Sequence, residues 1–354
     1  MTRTRLTRRN LLIAGSAVLA APYLGSRPAR AAGQVVIRNP GGAWSDTQKK
    51  YIYEPFTKET GIEVVIVPTT MTKMLAMVKS GNNELDVADA GYDALVELDK
   101  AKALAPIDYA GWKYARPDDI PEEYKTANTA GMALYATVLG YNTKTFPNNS
   151  QPKGWAEFWD AKKFPGARML QDMAAGTPNL EFALIADGVP MDKVYPIDID
   201  RAFKSMSRVK PYIKKFWDTG ALSAQMLADR DIVLGSIWNG RLQAIADKGA
   251  PVAIDWTQHM LSIQAYGVFK DAKNLKNAQL YVDYAMQAKA QVGMPRELNY
   301  GPTNIKAFDM LTAAQKANLP GSPENMKRCF IQDVNWWSDN RAKVNQIWSK
   351  WILS

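Results

Sequence analysis

The chain has 354 residues, 47% hydrophobic and 22% charged, which excludes a disordered polymer and leaves room for two packed domains. Its formal net charge is +9, but six of those charges are Arg3, Arg5, Arg8, Arg9, Arg27 and Arg30, in a leading segment without acids, and the remaining +3 implies no nucleic-acid partner. One cysteine, Cys329, and one histidine, His259, exclude an intramolecular disulfide and the common Cys/His metal clusters, and make any nucleophile–histidine pair depend on one residue.

In chain order, a basic stretch through Arg9, an apolar run Leu11–Ala21 and the small residues Ala29-Arg30-Ala31 read as an export signal over 1–31. Thr7-Arg8-Arg9-Asn10-Leu11-Leu12 resembles the twin-arginine type, with an ordinary Sec signal carrying two chance arginines as the alternative, and the apolar run is too short to span a bilayer. The expected location of the mature protein is the periplasm. Val35–Ile37 then begins a strand, and Asn39–Trp44 is a Gly-rich loop. Ser45-Asp-Thr-Gln48 reads as a capping box opening a helix to Glu59, closed by Gly61. A strand over 62–67, a helix over 71–79, a strand over 85–88 and a helix from Gly91-Tyr92-Asp93 follow. This alternation predicts a parallel sheet covered on both faces.

The stretch 133–142 predicts a long strand. A second set of βα units follows, with a strand over 168–172 and helices over 179–186, 200–208 and 223–228. Ile232–Ile237 is an apolar strand, and Trp238-Asn-Gly240 links it to a helix from Arg241 to Lys248. A large aromatic and an amide therefore sit at the carboxyl end of a strand, where open α/β sheets bind ligands. Strands over 252–256 and 261–269 are separated by a turn containing His259, read as a surface or packing histidine. Helices over 278–286 and 340–351 complete the chain. Two long strands bracketing a complete α/β domain imply two crossings between lobes, hence a hinge. The expected fold class is α/β, two doubly wound lobes joined by hinge strands with the ligand cleft between them. Lobe 1 is drawn over 32–138 plus 266–308, and lobe 2 over 139–265 plus 309–354.

Phe56-Thr-Lys-Glu-Thr-Gly-Ile62, Leu139-Gly-Tyr-Asn142, Ile237-Trp-Asn-Gly240 and Tyr300-Gly-Pro-Thr-Asn304 occur in an order and spacing that resemble periplasmic solute-binding proteins of ABC importers. The resemblance is to the branch holding the spermidine- and putrescine-binding proteins, and covers essentially the whole mature chain. It implies the type II periplasmic-binding-protein-like fold and a membrane permease as partner. In polyamine binders, aromatic rings sandwich the ligand's methylenes and carboxylates hold its amines; a ring face is worth about 0.5–2 kcal/mol to an ammonium. The resemblance places the aromatic positions on Trp44, Tyr92, Trp238 and Tyr300, and the first carboxylate on Asp172. The second anchor, an aspartate in polyamine binders, is Gln264 here, with Ser262 where another aromatic would stand.

A neutral glutamine cannot neutralise a second buried ammonium. The expected ligand is a small amine-bearing solute, a polyamine or, on this argument, a compound with one anchored amine whose other end is neutral or a carboxylate held by an arginine, helix-start amides or amide side chains, as in 4-aminobutyrate. Arg241 is the arginine best placed for that role, with Arg201 and Arg296 behind it. Asn239 reads as a site amide or a helix cap, Asp172 as a ligand or a cap, and Gln225 as a further polar contact. No cofactor, metal or catalytic residue is expected, and the protein reads as a monomer. The competing readings are an exported enzyme, against which stand the missing cysteine ligands and Gly-rich phosphate loop, and a binding partner of a chemoreceptor.

Overall fold

The computed structural model describes residues 33–39, 41–69 and 71–354; the export-signal reading lies outside them. The strands are β1 (Gln34–Arg38), β2 (Glu63–Val67), β3 (Val87–Gly91), β4 (Leu104–Ala105), β5 (Thr129–Asn142), β6 (Arg168–Gln171), β7 (Ile213–Trp217), β8 (Leu234–Trp238), β9 (Val252–Phe269), β10 (Gly301–Pro302) and β11 (Cys329–Ile331). They form one sheet in the order β2-β1-β3-β9-β5-β8-β6-β7, with β4 and β11 added on β9 and β10 on β5. Each end of the sheet is parallel: β1 with β2 and β3, and β6 with β7 and β8. The long strands β5 and β9 run antiparallel through the middle and belong to both ends.

The apolar cores divide along those two strands. One core holds Val35, Phe56, Leu95 and Leu134 with Leu261, Ile263 and Tyr281. The other end has a core on each face. Trp155, Phe182, Phe203 and Trp348 fill one, and Trp217, Ile237 and Leu242 fill the other together with Ala136 and Val138. The chain therefore changes core between Leu134 and Ala136 on β5, and between Met260 and Leu261 on β9. Tyr135 and Ser262, paired in register, sit at that crossing, and irregularities at Gly131/Ala133 and Thr137/Leu139 flank it. Bulges of this kind bend and twist a ladder where it must re-aim side chains.

Several expectations shift. The first helix starts at Gly42 without a side-chain cap, and Gln48, read as part of a capping box, is instead buried under Asp89. Gly61 does close its helix in the left-handed conformation, φ 74°. The two strands expected around His259 are one strand, β9. His259 is buried in it, opposite Cys329 of β11. Leu311 and Leu319, grouped by sequence with lobe 2, pack on Val292, Tyr51 and Phe308 instead. No described helix is long and apolar enough to cross a membrane.

Candidate functional site

A run of aromatic rings marks the crossing. Trp44 and Tyr300 have centroids 5.9 Å apart, Tyr300 and Tyr135 6.2 Å, Tyr135 and Trp238 6.4 Å, and Trp238 and Trp217 5.2 Å. Each ring comes from a different element: the helix after β1, the turn before β10, β5, the end of β8 and β7. The Trp-Asn-Gly turn explains part of this convergence. A Cβ on Gly240 would lie 2.4 Å from the Tyr300 ring and 2.5 Å from the Leu298 carbonyl, so only glycine lets Tyr300 come this close. Asn239 fixes the same junction. It is fully buried, accepts from the Ala136 N–H at 2.9 Å and donates to the Asn299 carbonyl at 2.7 Å.

Behind Trp44 lies a buried carboxylate that the sequence did not single out. Asp89 Oδ2 accepts from Trp44 Nε1 (2.7 Å), Gln48 Nε2 (2.7 Å) and Asn39 Nδ2 (3.1 Å), and Oδ1 accepts from Gln264 Nε2 (2.7 Å). Burial raises its pKa above the ordinary aspartate value, while bonds from Trp44, Gln264 and Gln48 and the Arg38 guanidinium pull the other way. All four side-chain partners donate, so the carboxyl acts purely as an acceptor, as the ionised form does. Asp89 thus holds two of the expected site residues, Trp44 and Gln264, in fixed orientations.

Of these rings, Tyr135 and Trp238 edge a cavity of about 70 Å³ that Thr137, Gln171, Met260, Ser262 and Gln332 also line, with Asp93 and the loop Ala175–Thr177 bordering it. That is room for about two waters at ~30 Å³ each. Asp93 and Gly176 also border an open groove of about 1170 Å³ between helix Tyr92–Lys100 and helix Val334–Trp351. Across this groove Arg341 donates to Asp93 (2.7 Å) and to the Gly176 carbonyl (2.7 Å), and Lys100 reaches Asp339 at 2.5 Å. Burial, then the Asp93 charge, raises the pKa of Tyr135. Arg241 sits beside Trp238, where a Cβ on Gly220 would touch both, and near enough to Tyr300 to oppose the upward push of burial on its pKa. Its Nε is buried without a hydrogen-bond partner among the described residues.

The expected residues divide accordingly. Trp44, Trp238 and Tyr300 converge in the ring run, with Gln264 tied to Asp89 beneath it and Arg241 against Trp238. Tyr92 lies one step aside, its hydroxyl accepting from Thr129 at 3.0 Å, and lines a neighbouring pocket with Ser262 and Gln332. Asp172 caps a short turn through Ala174 N–H and borders the outer groove rather than the inner cavity. Gln225 is exposed and spends its amide on Asp229, and Asn239 spends both ends of its amide on backbone. Asp172 and Gln225 are consumed by neighbours in sequence, and Asn239 by backbone groups of β5 and of the turn before β10. Tyr135, Asp89, Asp93 and Gln332 are new: the first three are polar or aromatic residues at unremarkable strand or helix positions, and Gln332 lies in the connection between β11 and the C-terminal helix. Among the described residues, no group of three or more His, Cys, Asp or Glu could hold a metal ion.

Comparison with known proteins gives a consistent result. The family model of the bacterial extracellular solute-binding proteins matches residues 51–321. The gamma-aminobutyric acid-binding protein of Pseudomonas aeruginosa is 29% identical over 324 residues, 88% of this chain and 88% of that one. An ABC transporter substrate-binding protein from Bradyrhizobium japonicum superposes with a TM-score of 0.83 at 33% identity, covering 90% of this chain and 99% of the other. The solved structure of a GABA receptor superposes with a TM-score of 0.82 at 31% identity, covering 90% and 97%.

Proposed function

The chain belongs to the bacterial extracellular solute-binding proteins, the substrate-binding components of ABC transporters, and on that premise we propose that it captures a small amino compound of 4-aminobutyrate type and presents it to a membrane permease. The site is the crossing of the two lobes. Trp44, Tyr300, Tyr135 and Trp238 cover the ligand's methylenes, Arg241 takes its carboxylate, and its amine lies toward Gln264 and Asp93. The lobes meet at Leu134–Ala136 and Met260–Leu261, with the segment 309–326 carried by lobe 1. The protein acts as a monomer in the periplasm, delivered there by a twin-arginine signal over 1–31.

The observation that carries this reading is the run of four rings at the hinge, ending against an arginine whose Nε has no hydrogen-bond partner among the described residues. A carboxylate supplies the acceptor that Nε lacks, with a charge-assisted bond. The relatives that bind gamma-aminobutyric acid support the same ligand class. The test is thermal melting of the protein with 4-aminobutyrate, putrescine, spermidine and common amino acids, since a ligand bound only by the folded state raises the midpoint. The amino carboxylates are expected to raise it. Stabilisation by diamines alone would remove Arg241 from the site and return the protein to the polyamine class.

A further inference from the structure

Gln264 occupies a position where its two faces have different chemistry. Its Nε2 is fixed on Asp89 Oδ1 at 2.7 Å. A carboxylate only accepts, so the NH₂ end cannot turn away without losing that bond, and the carbonyl end must face outward. On β9, Met260, Ser262 and Gln264 share one face by the two-residue period of a strand, and Met260 and Ser262 line the cavity. The outward face is therefore the cleft. No described residue bonds Gln264 Oε1.

We propose that Asp89 is a positioning residue that locks the Gln264 carbonyl toward the ligand, so that this end of the site accepts a hydrogen-bond donor and refuses a carboxylate. The donor is an ammonium, hydroxyl or amide N–H. This rests on the reading of the cleft as a solute site and narrows which end of the solute goes where. The asymmetry of the Asp89 contacts makes the device reversible by one substitution. Three donors, from Trp44, Gln48 and Asn39, converge on Oδ2, and Gln264 alone faces Oδ1. In Asp89→Asn the amide oxygen takes the position with three donors. Its NH₂ then faces Gln264, which must rotate to offer Oε1 inward and NH₂ to the cleft.

The probes are 4-aminobutyrate and glutarate, which share three methylenes and one carboxylate and differ in the second end group. Titration calorimetry on the full chain is expected to favour 4-aminobutyrate. Asp89→Asn should swing the ratio toward glutarate by about tenfold or more, the cost of leaving one polar group mispaired. Asp89→Asn combined with Gln264→Met should lose most of that swing, because no amide remains to turn. A swing that persists in the double variant reduces Asp89 to a source of charge, and equal weakening of both probes reduces it to a structural residue; either overturns the proposal. So does wild-type preference for glutarate. If neither probe binds, the ligand class proposed above fails, and the Gln264 side-chain amide resonances still decide the orientation. Slow hydrogen exchange in the wild type and fast exchange in Asp89→Asn upholds it, and no change refutes it.

Discussion

Arg341→Gln tests whether the two lobes are latched across the groove. Arg341 sits on the long C-terminal helix, whose Trp348 is buried in the lobe 2 core. Its partner Asp93 is on the helix whose Leu95 and Leu98 are buried in the lobe 1 core. The pair is 2.7 Å apart with side chains 28% and 26% exposed, so solvent screens it only in part. A largely exposed pair gives roughly 0.2–1 kcal/mol, and a bond to a charged group about 1.5–3 kcal/mol when shielded. With the second bond to the Gly176 carbonyl, we take about 1–2 kcal/mol for the arginine in the closed arrangement, which is roughly five- to thirtyfold in the closing equilibrium. If the free protein is mostly open, ligand affinity falls by that factor, because apparent affinity scales with the competent fraction. If it is mostly closed, affinity falls less and the free protein expands, which small-angle scattering reads directly. The exposed pair Lys100–Asp339 is the control: Lys100→Gln should change affinity by no more than about fivefold, and by less than Arg341→Gln. Unchanged affinity together with an unchanged radius of gyration in Arg341→Gln would refute the latch.

Trp238→Ala removes the ring between Tyr135 and Trp217 and should weaken amino-compound binding about tenfold, from roughly 1–2 kcal/mol of ring contact, with the far-ultraviolet circular dichroism unchanged; retained affinity removes Trp238 from the site. Asn239→Ala strands the Ala136 N–H and the Asn299 carbonyl, so unfolding stability in urea should drop by about 2–4 kcal/mol at ~1–2 per buried group. His259 is held down to about 4 from 6.5, chiefly by burial. Its folded pKa is depressed, so the unfolded chain takes up a proton first as pH falls. The stability it contributes is whole above about pH 6.5 and is lost toward pH 4, about 3 kcal/mol in all at ~1.36 per unit. His259→Gln should therefore flatten the acid side of the urea midpoint against pH, and an unaltered slope assigns acid sensitivity elsewhere.

Sequence reading found the elements whose signals are local. Trp238 was visible because it stands beside an Asn-Gly turn at the end of a strand, while Tyr300 was placed by the family resemblance alone. The double crossing was visible because two apolar runs were too long for ordinary strands. Tyr135 was hidden because it sits inside one of those runs, where an aromatic is indistinguishable from core. Asp89 was hidden for the opposite reason: one acid in the short run Val87-Ala-Asp-Ala90 gives no sign that donors from three other elements close on it. Asp172 and Gln225 misled because their polar groups have local partners, Ala174 N–H and Asp229, that strand-end geometry does not reveal. Pairings such as Asp93–Arg341, 248 residues apart, leave no local trace at all.

The same gap alters what Gln264 means. Taken alone, it removes a negative charge from the site and leaves a second ammonium without a partner. In the fold the charge is still there, one layer deeper, on Asp89. An ammonium on Gln264 Oε1 would stand roughly 6 Å from that carboxylate, two hydrogen bonds and an amide away. At an effective dielectric of about 20 the attraction is roughly 3 kcal/mol, against roughly 6 kcal/mol at a direct 3 Å contact. Half of the attraction survives, but Asp89 already serves four donors, so the net gain is smaller still. One ammonium is tolerated there, then, without the grip a dedicated aspartate gives. A diamine would also set its far end against the Arg241 guanidinium, where like charges repel. Putrescine should therefore bind more weakly than 4-aminobutyrate, and Arg241→Gln should narrow that gap by relieving the repulsion while loosening the carboxylate. Equal weakening of both ligands in Arg241→Gln would show that the guanidinium does not face the solute.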